Sequence, residues 1–316
     1  MERLRASVVI ATWNAADVLG ACLDSLAAQR VEGGFETIVV DNASTDRTPE
    51  VVAAHAERIR TIRNEENLHY GGANNQGARE ARGDVLVFLN PDTELRGPDA
   101  LATLVAAADA PGAGLAGPLL LNPDDTLQPS CASFPSVPRA LLTATGTFRL
   151  LPERLRRRMS ADHWAHDAPA DVDWVMGAAL AVRAELFREL GGFWPQMYAE
   201  EEDLAYRVRA RGLCVRFEPA ARVMHVGNHS AAQRWSPAER GRMVAEADLL
   251  FLRTHYSRPR ATAIRAVTGA GYAARVVVHG LLGRRDAVAL FATMARAYAQ
   301  GTRSPSASSR IRASSA

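Results

Sequence analysis

The chain of 316 residues is 47% hydrophobic and 23% charged, apolar enough to bury one large core or two small ones and too apolar to be disordered. A formal net charge of +2 is too small to argue for a nucleic-acid partner, although all 37 basic residues are arginine, a bias we read as genomic base composition. Cys22, Cys131 and Cys214 are too few and too scattered for a zinc site or a disulfide framework, which fits a reducing cytosol.

The N-terminal "MERLRASVVIATWN" has an apolar run of only about six residues, shorter than a signal-peptide core, so a cytoplasmic chain is expected. "ASVVIATW" is a β-branched strand, Asn14 is a plausible N-cap, and Leu19, Cys22, Leu23 and Leu26 follow at helical spacing. "FETIVVD" repeats the strand, "STDRTPEVVAAHAER" is a helix with Pro49 in its first turn, and "IRTIR" is a short third strand. "NEENLHYGGANNQGAREARG" reads as a Gly/Asn loop leading into a helix over residues 73–82, before "DVLVFLN" closes the series. This alternation predicts an α/β fold: a doubly wound, mostly parallel sheet with helices on both faces.

Asp41 ends one strand, and Asn90, Pro91 and Asp92 end another, where a proline stops ladder pairing. Both carboxylates then reach the carboxyl edge of one sheet, where open α/β sheets bind ligands. Each alone is a common turn former; together they suit a nucleotide and a metal.

The segments "VVIATWN", "VVDNASTD", "NLHYGGANNQGAREARGDVLVFLNPDT", "GAALAVRAELFRELGGFWPQMYAEEEDLAYRVRARG" and "ARVMHVGNHS" resemble the family 2 glycosyltransferases with a GT-A fold, especially the rhamnosyltransferase-like branch. The resemblance spans residues 6–230 in the family's order. It implies an inverting, metal-dependent transfer of a sugar from a nucleoside diphosphate sugar to a hydroxyl of a cell-envelope or polysaccharide acceptor, glycan or lipid-linked. It places base and ribose at Thr12, Trp13, Asn14, Asp41 and Asp46. The family's DxD motif falls on Asn90, Pro91 and Asp92, with Asn replacing the first Asp, so the divalent metal (Mg or Mn) goes mainly to Asp92 and Asn90 lies nearer the ribose or a metal-bound water. The "NLHYGG" loop departs from the family, which prefers Gly where His69 stands.

The chemistry needs one base and no general acid, because a dication stabilises the departing diphosphate. In "MYAEEEDLAYRVRARG", read as a helix ending at Gly212, Glu201 lies within the stripe of Leu204, Ala205 and Val208 at about 100° per residue. Glu202 and Asp203 turn outward, with Asp203 paired to Arg207. An inward carboxylate there either meets the helix N-terminus favourably or acts as a base. The resemblance favours the base, mapping it onto Glu201; the family has Asp there, so Glu200 is a candidate to share the role. A lone histidine such as His225 is most often a core or surface residue, yet a neutral imidazole ligates metal, and the family often puts a His beside the metal here; His229 is a weaker candidate. Trp174 either lines the acceptor cleft or fills the core, and Gly177 either lets backbone approach ligand or simply packs.

Beyond residue 236 the resemblance fades into amphipathic helices whose arginines argue against a membrane span. They pack on the catalytic domain or a second subunit, or lie peripherally on the anionic inner face of the plasma membrane. The division expected is 1–95 for the nucleotide-sugar half, 96–235 for the acceptor and catalytic half, 236–300 for a helical extension and 301–316 for a disordered tail. Two rivals stand beside the transferase: a silent module that binds nucleotide sugars, and a nucleotidyltransferase, which would carry a Gly-rich phosphate loop that "ATWNAADVLG" lacks.

Overall fold

The computed structural model describes residues 4–152, 166–194, 197–227 and 235–301. They fall into two compact units, residues up to 134 with 152–234, and 135–151 with 235 onward. Residues 135–151, read from the sequence as part of the catalytic half, thus group with the C-terminal helices. His229 and the tail from residue 302 lie outside the described residues.

The first unit is built on β1 (Ala6–Thr12), β2 (Phe35–Asp41), β3 (Arg60–Arg63) and β4 (Val85–Leu89), ordered β3-β2-β1-β4 and all parallel. The sheet continues through β11 (Ala179–Arg183), β6 (Ala113–Leu121), β12 (Cys214–His225) and β5 (Thr93–Arg96). Along this path only β11 and β5 run against the others. Short strands β7 (Leu127–Gln128) and β9 (Ala170–Val172) join its margins, and β8 (Cys131–Ala132) pairs with β10 (Trp174–Val175) in a separate ribbon.

Alternation along β1 explains the two-sided core. Val8 and Ile10 face a cluster with α1 (Ala16–Ala27) and α4 (Ala100–Asp109), whereas Val9 faces the cluster that includes residues of α3 (His69–Glu80) and α7 (Glu200–Ala210). Close approach sets the second face. A Cβ on Gly77 of α3 would stand 2.4 Å from Val9 Cγ1, so the helix lies against the sheet only because that position has no side chain. Helices α2 (Thr48–Ala54) and α6 (Ala184–Glu189) complete this unit.

Three local expectations change. Asn14 does not cap α1: the cap residue is Ala15, and the acceptor for Ala16 N is Asp46 Oδ2, at 3.1 Å, from the loop after β2. Helix α3 begins at His69, four residues early, so the Gly/Asn cluster is helical rather than a loop. Small residues there let the helix touch the sheet, and that contact outweighs their poor helix propensity. Glu202 and Asp203 are buried, not outward, because α7 is enclosed on more than its apolar stripe. Asp203 does pair with Arg207, and Arg207 also donates to Leu190 O and Gly192 O, so this ion pair clamps a neighbouring turn instead of decorating a surface.

The second unit holds α5 (Val137–Thr145), a 3-10 turn at Thr147–Leu150, α8 (Pro237–His255), α9 (Arg258–Leu281) and α10 (Arg285–Gln300). Ser236 and Glu239 form a capping box that starts α8. Ala245, Leu249 and Tyr298 form its small core, and Gly271 of α9 lies against Ala144 of α5.

Candidate active site

Parallel pairing of β1 with β2 puts Thr12 opposite Asp41 at the carboxyl edge. Asp41 Oδ1 accepts from Ser44 N at 3.0 Å, but Asp41 Oδ2 and Thr12 Oγ1 are buried without a hydrogen-bond partner. Arg63 Nε stands 3.8 Å from Asp41 Oδ2. Buried polar atoms left this way are costly unless a ligand completes them. Half-buried Trp13 follows directly. Asn14, at φ 48, accepts Thr45 N on its Oδ1 at 2.8 Å and so ties the two strand ends together. Asp46 spends both oxygens on amides, those of Ala16 and Thr48. Burial pushes its carboxyl up, but these hydrogen bonds outweigh burial and hold it below the usual range.

Behind this edge Asn42 organises the next loop: its Oδ1 accepts from Asn64 Nδ2 and Leu68 N, and its Nδ2 donates to Asn67 Oδ1. The loop ends at His69 with φ 60, a left-handed backbone that glycine adopts freely and histidine does not, which accounts for the family's preference there.

A second group forms where β5 pairs with β12. His225 lies across from Thr93, so its ring meets the residue before Thr93, and Asp92 Oδ1 is 3.4 Å from His225 Nε2. Gly227 N donates to Asp92 Oδ2 at 3.1 Å, and Asn90 Nδ2 is 3.4 Å from His225 Nε2. Gln128 fixes the ring. Its Nε2 donates to Asn122 Oδ1 and His225 O, which leaves its Oε1 to accept from His225 Nδ1 at 2.7 Å. With Nδ1 donating to Gln128, Nε2 faces the Asn90 amide and the Asp92 carboxylate, a donor set that suits a bridging cation. Burial pushes Asp92 up; the hydrogen bond and charge of His225 and the Gly227 amide overcome it, and the carboxyl sits below its usual range.

The third group surrounds Gly177. Its N donates to Glu201 Oε1 at 3.3 Å, and its carbonyl accepts from Tyr70 OH at 2.7 Å. A Cβ here would meet Tyr70 OH at 3.2 Å and Glu201 Cδ at 3.4 Å, so glycine lets the backbone approach the carboxyl. Tyr198 and Ala199 lead into α7 at φ 68 and 64, two strained residues directly before the glutamates. Glu200 is pushed well above the ordinary 4.5, first by burial and then by the charge of Glu201. Burial also raises Glu201, while the Gly177 amide opposes the rise. Tyr70 stays neutral, raised by burial and by both glutamates.

A carboxyl whose pKa is raised on folding binds its proton more tightly in the folded chain, so stability is fullest below the unfolded value and falls as pH climbs through the raised one. Glu200→Gln is thus expected to melt about 3 °C or more above the parent at pH 8. The gain should shrink toward pH 5 in circular-dichroism melts, and an equal gain at both values would contradict the raised pKa.

The second and third groups converge on one backbone stretch. Asn90 N donates to Ala178 O at 2.9 Å, next to the Gly177 amide that holds Glu201. Trp174 lies in β10, half-buried against the core cluster that includes Leu204 and Ala205 of α7, with its Nε1 buried and without a hydrogen-bond partner. Among the described residues no cluster of three or more His, Cys, Asp or Glu is spaced to hold a metal. Asp92 and His225 offer two donor atoms, a set that suits a cation taking its remaining ligands from substrate phosphates. Sequence patterns did not reveal Gln128, Tyr70 or Asn42. Nor did they reveal Asn74, fully buried in α3 with both amide atoms unpartnered. Burial drives the Cys22 thiol up to about 12, which disfavours its thiolate.

This sheet order, with its two acidic groups at the carboxyl edge, is the GT-A glycosyltransferase fold. A mannosyltransferase from Pyrobaculum calidifontis, solved with GDP-Man and Mn2+, superposes with a TM-score of 0.62 at 19% identity, over 94% of this chain and 86% of that one. Residues 7–136 match the model of glycosyl transferase family 2, so this part of the chain is a family 2 glycosyltransferase domain. It is 29% identical over 265 residues to an N-acetylglucosaminyl-diphospho-decaprenol L-rhamnosyltransferase of Mycobacterium tuberculosis, covering 79% of this chain and 84% of that protein. It is also 30% identical over 257 residues to an O-antigen biosynthesis protein of Myxococcus xanthus, covering 77% of this chain but only 18% of that much longer protein.

Proposed function

We propose that the chain transfers a sugar, with rhamnose the first candidate, from a nucleoside diphosphate sugar to a hydroxyl of a glycan or lipid-linked acceptor used in building cell-envelope or extracellular polysaccharide. The observation that carries this reading is the neighbouring placement of Glu201, held by the Gly177 amide, and of Asn90, which bonds Ala178 O and meets His225 beside Asp92, at the sheet edge where Asp41 and Thr12 keep buried oxygens without hydrogen-bond partners. The name of the mycobacterial relative favours a rhamnosyl donor and a polyprenyl-linked acceptor.

Thr12, Trp13, Asn14 and Asp41 would take the base and ribose, with Asp46 and Asn42 holding the surrounding loops. Asn90 lies nearer the ribose. Asp92 and His225 would hold a divalent metal, which, when bound, stabilises charge on the departing diphosphate. Glu201 accepts the proton of the acceptor hydroxyl as that oxygen attacks the anomeric carbon opposite the diphosphate. The bond from that carbon to the diphosphate breaks and the configuration inverts. Burial raises both carboxyls, and Glu201 has the Gly177 amide to steady its charge when it ionises. Trp174 and Gly177 border the acceptor side.

Incubation with a panel of sugar nucleotides, Mn2+ or Mg2+ and a polyprenyl diphosphate-linked sugar tests this. Metal-dependent release of nucleoside diphosphate is expected with one donor above the rest. Binding without release for every donor would make the chain a silent module, and release of pyrophosphate from nucleoside triphosphates would make it a nucleotidyltransferase.

A further inference from the structure

Helix α9 has its two faces reversed relative to a helix meant for water. Its inward side carries Ile264, Gly271 and Tyr272, and Arg275 is turned inward as well, donating to Thr143 O at 2.9 Å. From Ala266 to Leu282 the exposed positions are Ala266, Ala270, Ala273, Ala274, Val277, Val278, Gly280, Leu281 and Leu282, with no polar side chain among them. The stripe grows bulkier toward its end: Val277 is 62% exposed, Val278 53%, Leu281 84% and Leu282 60%. An apolar face of this length, left in water, marks an interaction surface.

Charge says what covers it. Residues 258–316 hold ten arginines and a single acidic residue, Asp286, an excess of nine positive charges in a chain whose net charge is +2. Exposed Arg284 and Arg285 directly follow the bulkiest part of the stripe. A second copy seated on this face would bring the same excess against itself, whereas an anionic surface is complementary. Among the described residues no helix is long and apolar enough to cross a membrane, and at ~36 Å α9 has the length for a span but not the composition.

We propose that the outward face of α9 is a seat for an anionic lipid bilayer, with Val277, Val278, Leu281 and Leu282 entering the interface in the membrane plane and Arg284 and Arg285 meeting the headgroups. This inference is independent of the glycosyl-transfer reading, since its readout is binding without substrate. The full chain would be sedimented with vesicles of phosphatidylcholine alone and with one-third phosphatidylglycerol. At least tenfold stronger binding to the anionic vesicles is expected, weakened in high salt by screening. The Leu281→Asp/Leu282→Asp double variant should lose at least tenfold while keeping its melting curve. If that variant does not fold, Arg284→Glu/Arg285→Glu, altered only at exposed positions, should lose as much. Equal binding to both vesicle types would overturn the proposal, as would wild-type binding by a folded variant. So would a concentration-dependent dimer that the leucine substitutions abolish.

Discussion

Asp92→Ala is expected to lower turnover by about 10³-fold or more and to remove saturable Mn2+ binding, because a Lewis acid at a departing diphosphate is worth several kcal/mol and each 1.4 kcal/mol is about tenfold. In the proposed site the buried carboxylate is one of two side-chain ligands, and its loss removes the carboxylate that stands 3.4 Å from His225 Nε2. Calorimetric Mn2+ titration with nucleoside diphosphate present reads the effect without turnover. Gln128→Ala grades the same site. Without the acceptor for Nδ1, the ring loses the tautomer and orientation that aim Nε2 at Asp92, so Mn2+ affinity should drop about 10–100-fold with activity recovered at high metal. An Asp92→Ala chain that binds Mn2+ as tightly as the parent would place the metal elsewhere.

Glu201→Gln should bind sugar nucleotide as the parent does and turn it over roughly 10²–10⁴-fold more slowly, the range for one positioned base. Gln keeps the size of the side chain and its acceptor for the Gly177 amide, so the loss isolates proton transfer from packing. Isothermal titration with the donor and steady-state rates on the same preparation separate the two terms. A parallel Glu200→Gln chain is the control: it should stay within about tenfold of the parent where Glu201 alone takes the proton. Comparable losses in both chains would make the glutamates one shared base, and a fully active Glu201→Gln chain would remove it from the chemistry.

The two tests draw on different parts of the sequence, and that difference shows what was legible. Strands β1, β2 and β4 were readable because continuous β-branched runs with turn residues at their ends leave few alternatives, and their parallel order put Asp41 and Asp92 on one edge. The same periodicity placed Glu201 beside Leu204, Ala205 and Val208 on α7. It misjudged Glu202 and Asp203, since a one-dimensional helical wheel knows one buried stripe, whereas α7 is enclosed on several sides. It also took the Gly/Asn stretch of α3 for a loop, because local propensity cannot anticipate a helix that lies on a sheet through its glycines.

What the chain states by itself, then, is which segments become strands and helices and which carboxylates end them, for these follow from residue spacing over a few turns. The meeting of Asp92 with His225, the ring-setting bond from Gln128 and the Gly177 amide on Glu201 join residues 133, 97 and 24 positions apart in sequence. No local pattern encodes such pairs. They arise only when antiparallel β5 and β12, and the turn before β11, are brought together by burial of a common core.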